Sequence, residues 1–239
     1  PEAARMPAFS TRAFWASLKL RLAAILSTMP RMTPPTKIAK VVYRRATNNL
    51  KRCLALGGAK NHLIVMPDAD REMAASNIIA SMSGCAGQRC MAASVMVAVS
   101  ASDHVIARMV EIAKAMVPGK DLGPVISAEA KARIVRYIDE AEAQGAKVLV
   151  DGRKVSVPGR ENGYFLGPTI LDQVTPGMKI AQEEVFGPVL VIVRAADVDE
   201  AIAIENASPY GNAASVYTES GGVARKVMER ASAGMVGVN

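Results

Sequence analysis

Leu63-Ile64-Val65-Met66 runs into Pro67-Asp68-Ala69-Asp70, and further along the chain reads Ala92-Ala93-Ser94-Val95-Met96-Val97-Ala98-Val99-Ser100. The apolar tetrad is too short for a helix and has no polar position, so it reads as a buried strand. The acids after it can accept hydrogen bonds from the free amides of a first helical turn, which predicts a helix from Asp70 to about Ser81. Ala92–Ser100 is apolar and valine-rich, a second buried strand. Strand, helix and strand in this order form a βαβ unit, and its two strands lie parallel.

The alternation continues on both sides. Ile38 to Asn48 and His104 to Met116 have helical spacing. Ser127 is placed to cap a helix with Glu129 in its first turn. That helix carries Ile134, Val135, Ile138 and Ala141 on one face and stops before Gly145. Lys147–Val150, Phe165–Leu171, Val189–Val193, Ala213–Tyr217 and Met235–Val238 read as strands. Asp197 with Glu200 resembles a capping box opening a helix through Ile202 and Ile204, and Gly222–Ala231 reads as the last helix. Strands alternating with helices predict an α/β fold, a mostly parallel sheet with flanking helices.

The 239 residues suffice for one sizeable core or two small domains. No apolar run is long enough to span a membrane as a helix. Three cysteines (Cys53, Cys85, Cys90) cannot make a disulfide framework, and two histidines (His62, His104) do not make a metal cluster, so no metal is expected. The net charge of +7 is unevenly spread. Residues 1–60 hold 12 Lys and Arg against the single acid Glu2, whereas residues 61–239 hold 17 bases and 21 acids. The basic excess thus belongs to the N-terminal quarter, and neither nucleic acid nor membrane is expected as a partner of the rest. Residues 1–32 are rich in Arg, Ala, Ser and Met, with Phe14, Trp15, Leu18, Leu22 and Ile25 on one broad face. A targeting segment, a basic surface helix, and sequence foreign to the following domain all stay open as readings.

Three segments have the composition of a chemical site. Ser83-Gly84-Cys85-Ala86-Gly87-Gln88-Arg89-Cys90-Met91 joins the first predicted helix to the valine-rich strand. Its small residues permit close backbone approach, and Arg89 beside Cys90 favours the thiolate, which is the nucleophilic form. A buried, inert cysteine in a tight turn is the competing reading. Glu183-Glu184-Val185-Phe186-Gly187-Pro188-Val189 is a ligand-facing rim, whose carboxylate can accept both hydroxyls of a ribose, or a solvated acidic turn. Leu56-Gly57-Gly58-Ala59-Lys60-Asn61-His62 brings paired glycines ahead of a strand without the spacing of a common phosphate loop. His62 there reads as a hydrogen-bonded structural histidine.

Taken together, these segments make the chain resemble an aldehyde dehydrogenase, and within that superfamily the CoA-acylating methylmalonate-semialdehyde (malonate-semialdehyde) dehydrogenases. The resemblance rests on Ala55–His62, Val65–Asp70, Ala86–Ala92, Asp121–Ile126, Leu149–Arg153, Glu161–Gly163, Gly167–Ile170, Glu183–Leu190, Pro209–Asn212 and Gly234–Asn239. It implies that Cys90 is the nucleophile, which adds to an aldehyde, passes hydride to NAD and becomes a thioester. It implies that Glu184 holds the nicotinamide ribose, that Phe186 packs near it and that the backbone of Gly57 faces the nicotinamide. Where ordinary aldehyde dehydrogenases read Glu-Leu-Gly-Gly-Lys, this chain aligned on Lys60 has Leu56 in place of the general base. Leucine cannot deprotonate water, whereas a thiol needs less help, so coenzyme A is the implied acyl acceptor. The implied reaction turns a semialdehyde of valine catabolism into a shorter acyl-CoA, the carboxyl group leaving as CO2 or bicarbonate. Arg89 suits the substrate carboxylate, or else bonds the local backbone.

The resemblance also carries expectations about organisation. Residues 1–32 are non-homologous or disordered, 33–61 are a remnant of a largely missing NAD-binding domain, and 62–239 are a catalytic domain truncated at its C-terminus. Met32-Thr33-Pro34-Pro35 stands where relatives have Phe-Val-Gly-Ser, and Ser83 stands where an aromatic is usual. The chain is accordingly expected to be a fragment. Its full-length relatives are expected to be homo-oligomers, and the chain itself is expected in the cytoplasm or, in a eukaryote, the mitochondrial matrix. A non-catalytic domain acting only in protein–protein association is the alternative.

Overall fold

The structure is a computed structural model that describes residues 37–239, so the expectations for residues 1–32 and for Met32–Pro35 lie outside the described residues. Helix α1 (Lys37–Asn48) leads through an irregular stretch to strand β1 (Asn61–Val65). Then come α2 (Arg71–Ser83), a 3-10 turn (Gly84–Gly87), β2 (Ala93–Val99), α3 (Asp103–Ala115) and α4 (Ala128–Ala143). The remainder is β3 (Lys147–Val150), β4 (Thr169–Asp172), α5 (Lys179–Gln182), β5 (Val189–Ala195), α6 (Val198–Ala207), β6 (Ala213–Tyr217), α7 (Gly221–Arg230) and β7 (Met235–Val238). The predicted caps form: Asp70 accepts from the Met73 amide, Ser127 from Ala130 and Asp197 from Glu200.

The seven strands form one sheet in the order β3-β4-β5-β2-β1-β6-β7. All neighbours are parallel except β3 with β4. The apolar runs divide by alternation between the two faces of the sheet. Ile64, Val95, Val97, Val191 and Val216 join Ile134 and Ile138 of α4, Ile202 of α6 and Val227 of α7 in one core. Leu63, Val65, Met96, Leu190 and Ile192 join Ile78 and Met82 of α2 and Met109 of α3 in the other. Strands buried on both faces are why the sequence shows unbroken apolar runs instead of polar alternation.

One strand is shorter than its sequence suggests. Phe165–Leu171 is mostly apolar, yet only Thr169–Asp172 is strand. Phe165 and Leu166 are buried without joining a strand. Pro168 has no amide to give a ladder, and Gly167 is instead tied to Gly152, its amide donating to the Gly152 carbonyl at 2.9 Å. No helix among the described residues is long and apolar enough to cross a membrane, and none of their His, Cys, Asp and Glu side chains form a group of three able to hold a metal ion.

Because the central strands are parallel, every segment that enters one of them arrives at the same edge of the sheet. Lys60 precedes β1, Cys90 precedes β2, Glu184 and Phe186 precede β5 and Asn212 precedes β6. Open α/β sheets usually bind ligands at the carboxyl ends of their strands; here the chemistry-bearing side chains gather at the amino ends.

Candidate active site

The loop that carries Cys90 begins where α2 ends. Cys85 and Ala86 both take left-handed backbone conformations (φ 53° and 52°), as does Gly87 (φ 69°), so the chain reverses within one short turn. Such residues without glycine's freedom are uncommon and concentrate at functional sites. The sequence alone gives no sign of them. Arg89 folds back over Gly84, and its Nη2 donates to the carbonyls of Ala80 (3.2 Å) and Ser81 (2.7 Å), covering the exposed end of α2. Gln88 braces the turn from the other side, donating to the Cys85 carbonyl (3.1 Å) and accepting from the Ile126 amide (2.9 Å). Cys90 itself is exposed. Its carbonyl oxygen accepts from two carboxamides, Asn61 Nδ2 and Asn212 Nδ2, each at 2.9 Å.

The glutamate rim is pressed against this loop by two glycines. A Cβ added to Gly87 would lie 2.0 Å from the carbonyl oxygen of Gly187, and one added to Gly187 would lie 2.6 Å from Ile134 Cδ1. Contacts that close leave room for backbone only, and they put Cys90, Arg89, Glu184 and Phe186 around one pocket with Lys60 and Asn61. Glu184 is half-buried. Burial raises its carboxyl above the usual range, while the Ala59 amide and the charges of Lys60 and Arg133 pull it back down. Its neighbour Glu183 instead takes the hydroxyl of Tyr137.

Lys60 is 4% exposed and donates to the Ile180 carbonyl at 2.6 Å. Burial pushes its ammonium down to about 7, with the charges of Glu184 and Glu183 opposing the shift. Lys60, Asn61 and Asn212 stand in the motifs quoted above, where no role was read for them; their signal is position, Asn61 opening a strand and Lys60 and Asn212 each immediately preceding one. Gly57 lies in the irregular stretch before β1 and does not line the pocket. The adjacent Gly58 (φ 87°) packs on the ring of Tyr210, where an added Cβ would come within 2.7 Å of Cε1.

His62 is buried and its Nδ1 lies 3.0 Å from the Lys60 carbonyl, the structural role read from sequence. Burial first, and then the charge of Lys60, lower its pKa to about 4. Above pH 6.5 the imidazole is neutral in both folded and unfolded chains. Between 6.5 and 4 only the unfolded chain takes up the proton, so stability falls as pH falls through that window, by up to about 3 kcal/mol. Urea unfolding at pH 7 and pH 4.5 is expected to show this loss, and His62→Asn, which does not titrate, to remove most of it. Equal losses in both proteins would contradict the assignment.

Comparison with known proteins finds matches in both sequence and fold. A sequence model of the aldehyde dehydrogenase family matches residues 29–239. The chain is 45% identical over 204 residues to the rat mitochondrial methylmalonate-semialdehyde/malonate-semialdehyde dehydrogenase [acylating], covering 83% of this chain and 38% of that protein. A Sinorhizobium meliloti 1021 structure assigned as a methylmalonate-semialdehyde dehydrogenase, complexed with NAD, superposes with a TM-score of 0.80 at 41% identity, covering 89% of this chain and 47% of that one. The methylmalonate-semialdehyde dehydrogenase of Oceanimonas doudoroffii gives 0.79 at 44% identity, over 84% and 43%. The chain spans about 40% of the length of the curated relatives it matches. A matching family sequence, a shared fold and a cysteine facing a glutamate rim across one pocket lead to one statement: this chain belongs to the aldehyde dehydrogenase family.

Proposed function

We propose that this chain carries the catalytic part of an NAD-dependent, CoA-acylating dehydrogenase acting on methylmalonate or malonate semialdehyde. The single observation that carries the reading is the meeting of the exposed Cys90 with Glu184 and Phe186 at one pocket. The Cys90 sulfur adds to the aldehyde carbon, forming a C–S bond and a thiohemiacetal alkoxide. Loss of hydride from that carbon leaves a thioester on Cys90. NAD, when bound, supplies the hydride acceptor. The residues present fit its nicotinamide-ribose end: Glu184 offers a half-buried carboxylate held by the Ala59 amide, and Phe186 an exposed ring beside it. Gly57, the backbone position the resemblance assigns to the nicotinamide, lies outside the pocket lining and gives this end no support.

The substrate carboxylate is assigned to Arg89, which lines the pocket and whose Nη2 is anchored on Ala80 and Ser81. That anchoring uses Nη2 and leaves Nε and Nη1 without a hydrogen-bond partner among the described residues. Leu56 stands where the family's general base would be and is 60% exposed, so that position supplies no carboxylate to activate water at the thioester. A coenzyme A thiolate is a stronger nucleophile and attacks the same carbon, releasing the acyl group to the thiol and returning Cys90. Association with further copies is the partner reading, supported by the exposed Ile38, Val41, Leu50 and Leu54 around α1.

The test is the fate of the thioester. Cys90 is acylated with p-nitrophenyl acetate, excess ester is removed, and deacylation is followed in water and with coenzyme A. Release to coenzyme A at 1 mM is expected to outpace hydrolysis by roughly 100-fold, thiolates being far better nucleophiles toward thioesters than water. Hydrolysis at an equal rate would point to a water-activating base and overturn the acylating assignment.

A further inference from the structure

The carbonyl oxygen of Cys90 has two lone pairs, and both are taken by side chains from segments distant in sequence. Asn61 Nδ2, at the start of β1, and Asn212 Nδ2, just before β6, each donate to it at 2.9 Å. Asn61 Nδ2 also donates to the Ala92 carbonyl at 2.8 Å. Two carbonyls facing one nitrogen fix the orientation of that carboxamide, because its oxygen in the same place would face two acceptors. Asn61 is 5% exposed, and its Oδ1 has no hydrogen-bond partner among the described residues. Every hydrogen bond its side chain makes to them therefore goes to the backbone on either side of Met91. Asn212 Nδ2 touches the Met91 Sδ as well, at 3.1 Å.

We propose that Asn61 and Asn212 are positioning residues for the nucleophile, a two-carboxamide clamp on the Cys90 carbonyl that fixes the direction in which the thiol is presented to the Glu184 rim. The inference rests on Cys90 being the nucleophile. With the Arg89 carbonyl accepting from the Ala92 amide at 3.1 Å and the Cys90 carbonyl pinched between Asn61 and Asn212, the peptide planes on both sides of the sulfur-bearing carbon are restrained. The clamp tolerates no exchange of donor for acceptor. An aspartate at 212 has the size of asparagine but accepts only, and it sets a charged oxygen against the carbonyl it should hold.

Two reagents separate position from reactivity. Acyl transfer from p-nitrophenyl acetate needs the sulfur in one direction relative to its surroundings, whereas alkylation by iodoacetamide reports an accessible thiol in any direction. Both are followed at Cys90 by peptide mass spectrometry of the full chain, with Cys85 and Cys53 as internal references. Asn212→Asp is expected to slow acylation of Cys90 at least 10-fold and to change its alkylation less than 2-fold, with Asn212→Gln recovering part of the acylation rate. Asn61→Ser, which keeps one donor, is expected to give a smaller loss of the same kind. If acylation of Cys90 is unchanged in Asn212→Asp, the clamp has no positioning role. If all three cysteines alkylate faster together, the asparagines are general structural ties and the proposal fails. If the unaltered chain does not acylate at Cys90, the nucleophile assignment itself falls and the clamp with it.

Discussion

Gly87→Ala is expected to lower the unfolding free energy by roughly 3 kcal/mol, combining a left-handed backbone with an overpacked contact. The two contributions are separable. Gly145 also has a left-handed φ, of 99°, but a Cβ added there meets nothing within 4 Å. Gly145→Ala therefore carries the backbone cost alone, about 1 kcal/mol. At Gly87 the new methyl would sit 2.0 Å from the Gly187 carbonyl oxygen, which is backbone and cannot rotate aside. The rim must move, and the rim holds Glu184 and Phe186. Denaturant unfolding of both variants gives the comparison. Gly87→Ala within about 0.5 kcal/mol of the unaltered chain, the range of an ordinary surface change, would mean that the two loops do not touch as described.

Cys90→Ser is expected to abolish acyl transfer, by a factor on the order of 1,000 or more, with little change in stability. The substitution is nearly isosteric and the side chain is exposed. What it removes is nucleophilicity: a serine hydroxyl is almost wholly protonated at neutral pH, and no hydrogen bond ties the side chain at position 90 to a base among the described residues. Cys85→Ser is the control, since Cys85 is exposed on the same loop but does not line the pocket. Retention of acyl transfer in Cys90→Ser, or its loss in Cys85→Ser, would move the chemistry to another residue.

The fold was largely legible because its strands are buried on both faces. Leu63–Met66 and Ala92–Ser100 announce themselves as apolar runs, and Asp70, Ser127 and Asp197 announce the helices by caps that the structure shows making their bonds. Phe165–Leu171 misled for the same reason: burial makes a sequence apolar whether or not its backbone joins a ladder, and Phe165 and Leu166 are buried outside one. The convergence of Cys90, Glu184 and Phe186 came from resemblance, since spacing along the chain gives no distance between loops 94 residues apart. Topology supplies the missing link, because parallel central strands bring their entering segments to one edge. The left-handed pair Cys85 and Ala86, the depressed Lys60 and the asparagines on the Cys90 carbonyl were not legible as site features. Each depends on packing between segments distant in sequence, and asparagine or alanine carries no local mark of such a role.

The most direct test of the account is to treat the full chain with p-nitrophenyl acetate, quench in acid and locate the acetyl group by peptide mass spectrometry. The account predicts a single thioester on Cys90, formed ahead of any modification of Cys85, Cys53 or Lys60 and discharged by coenzyme A. Acetylation spread evenly over the three cysteines, or found first on Cys85, would contradict it.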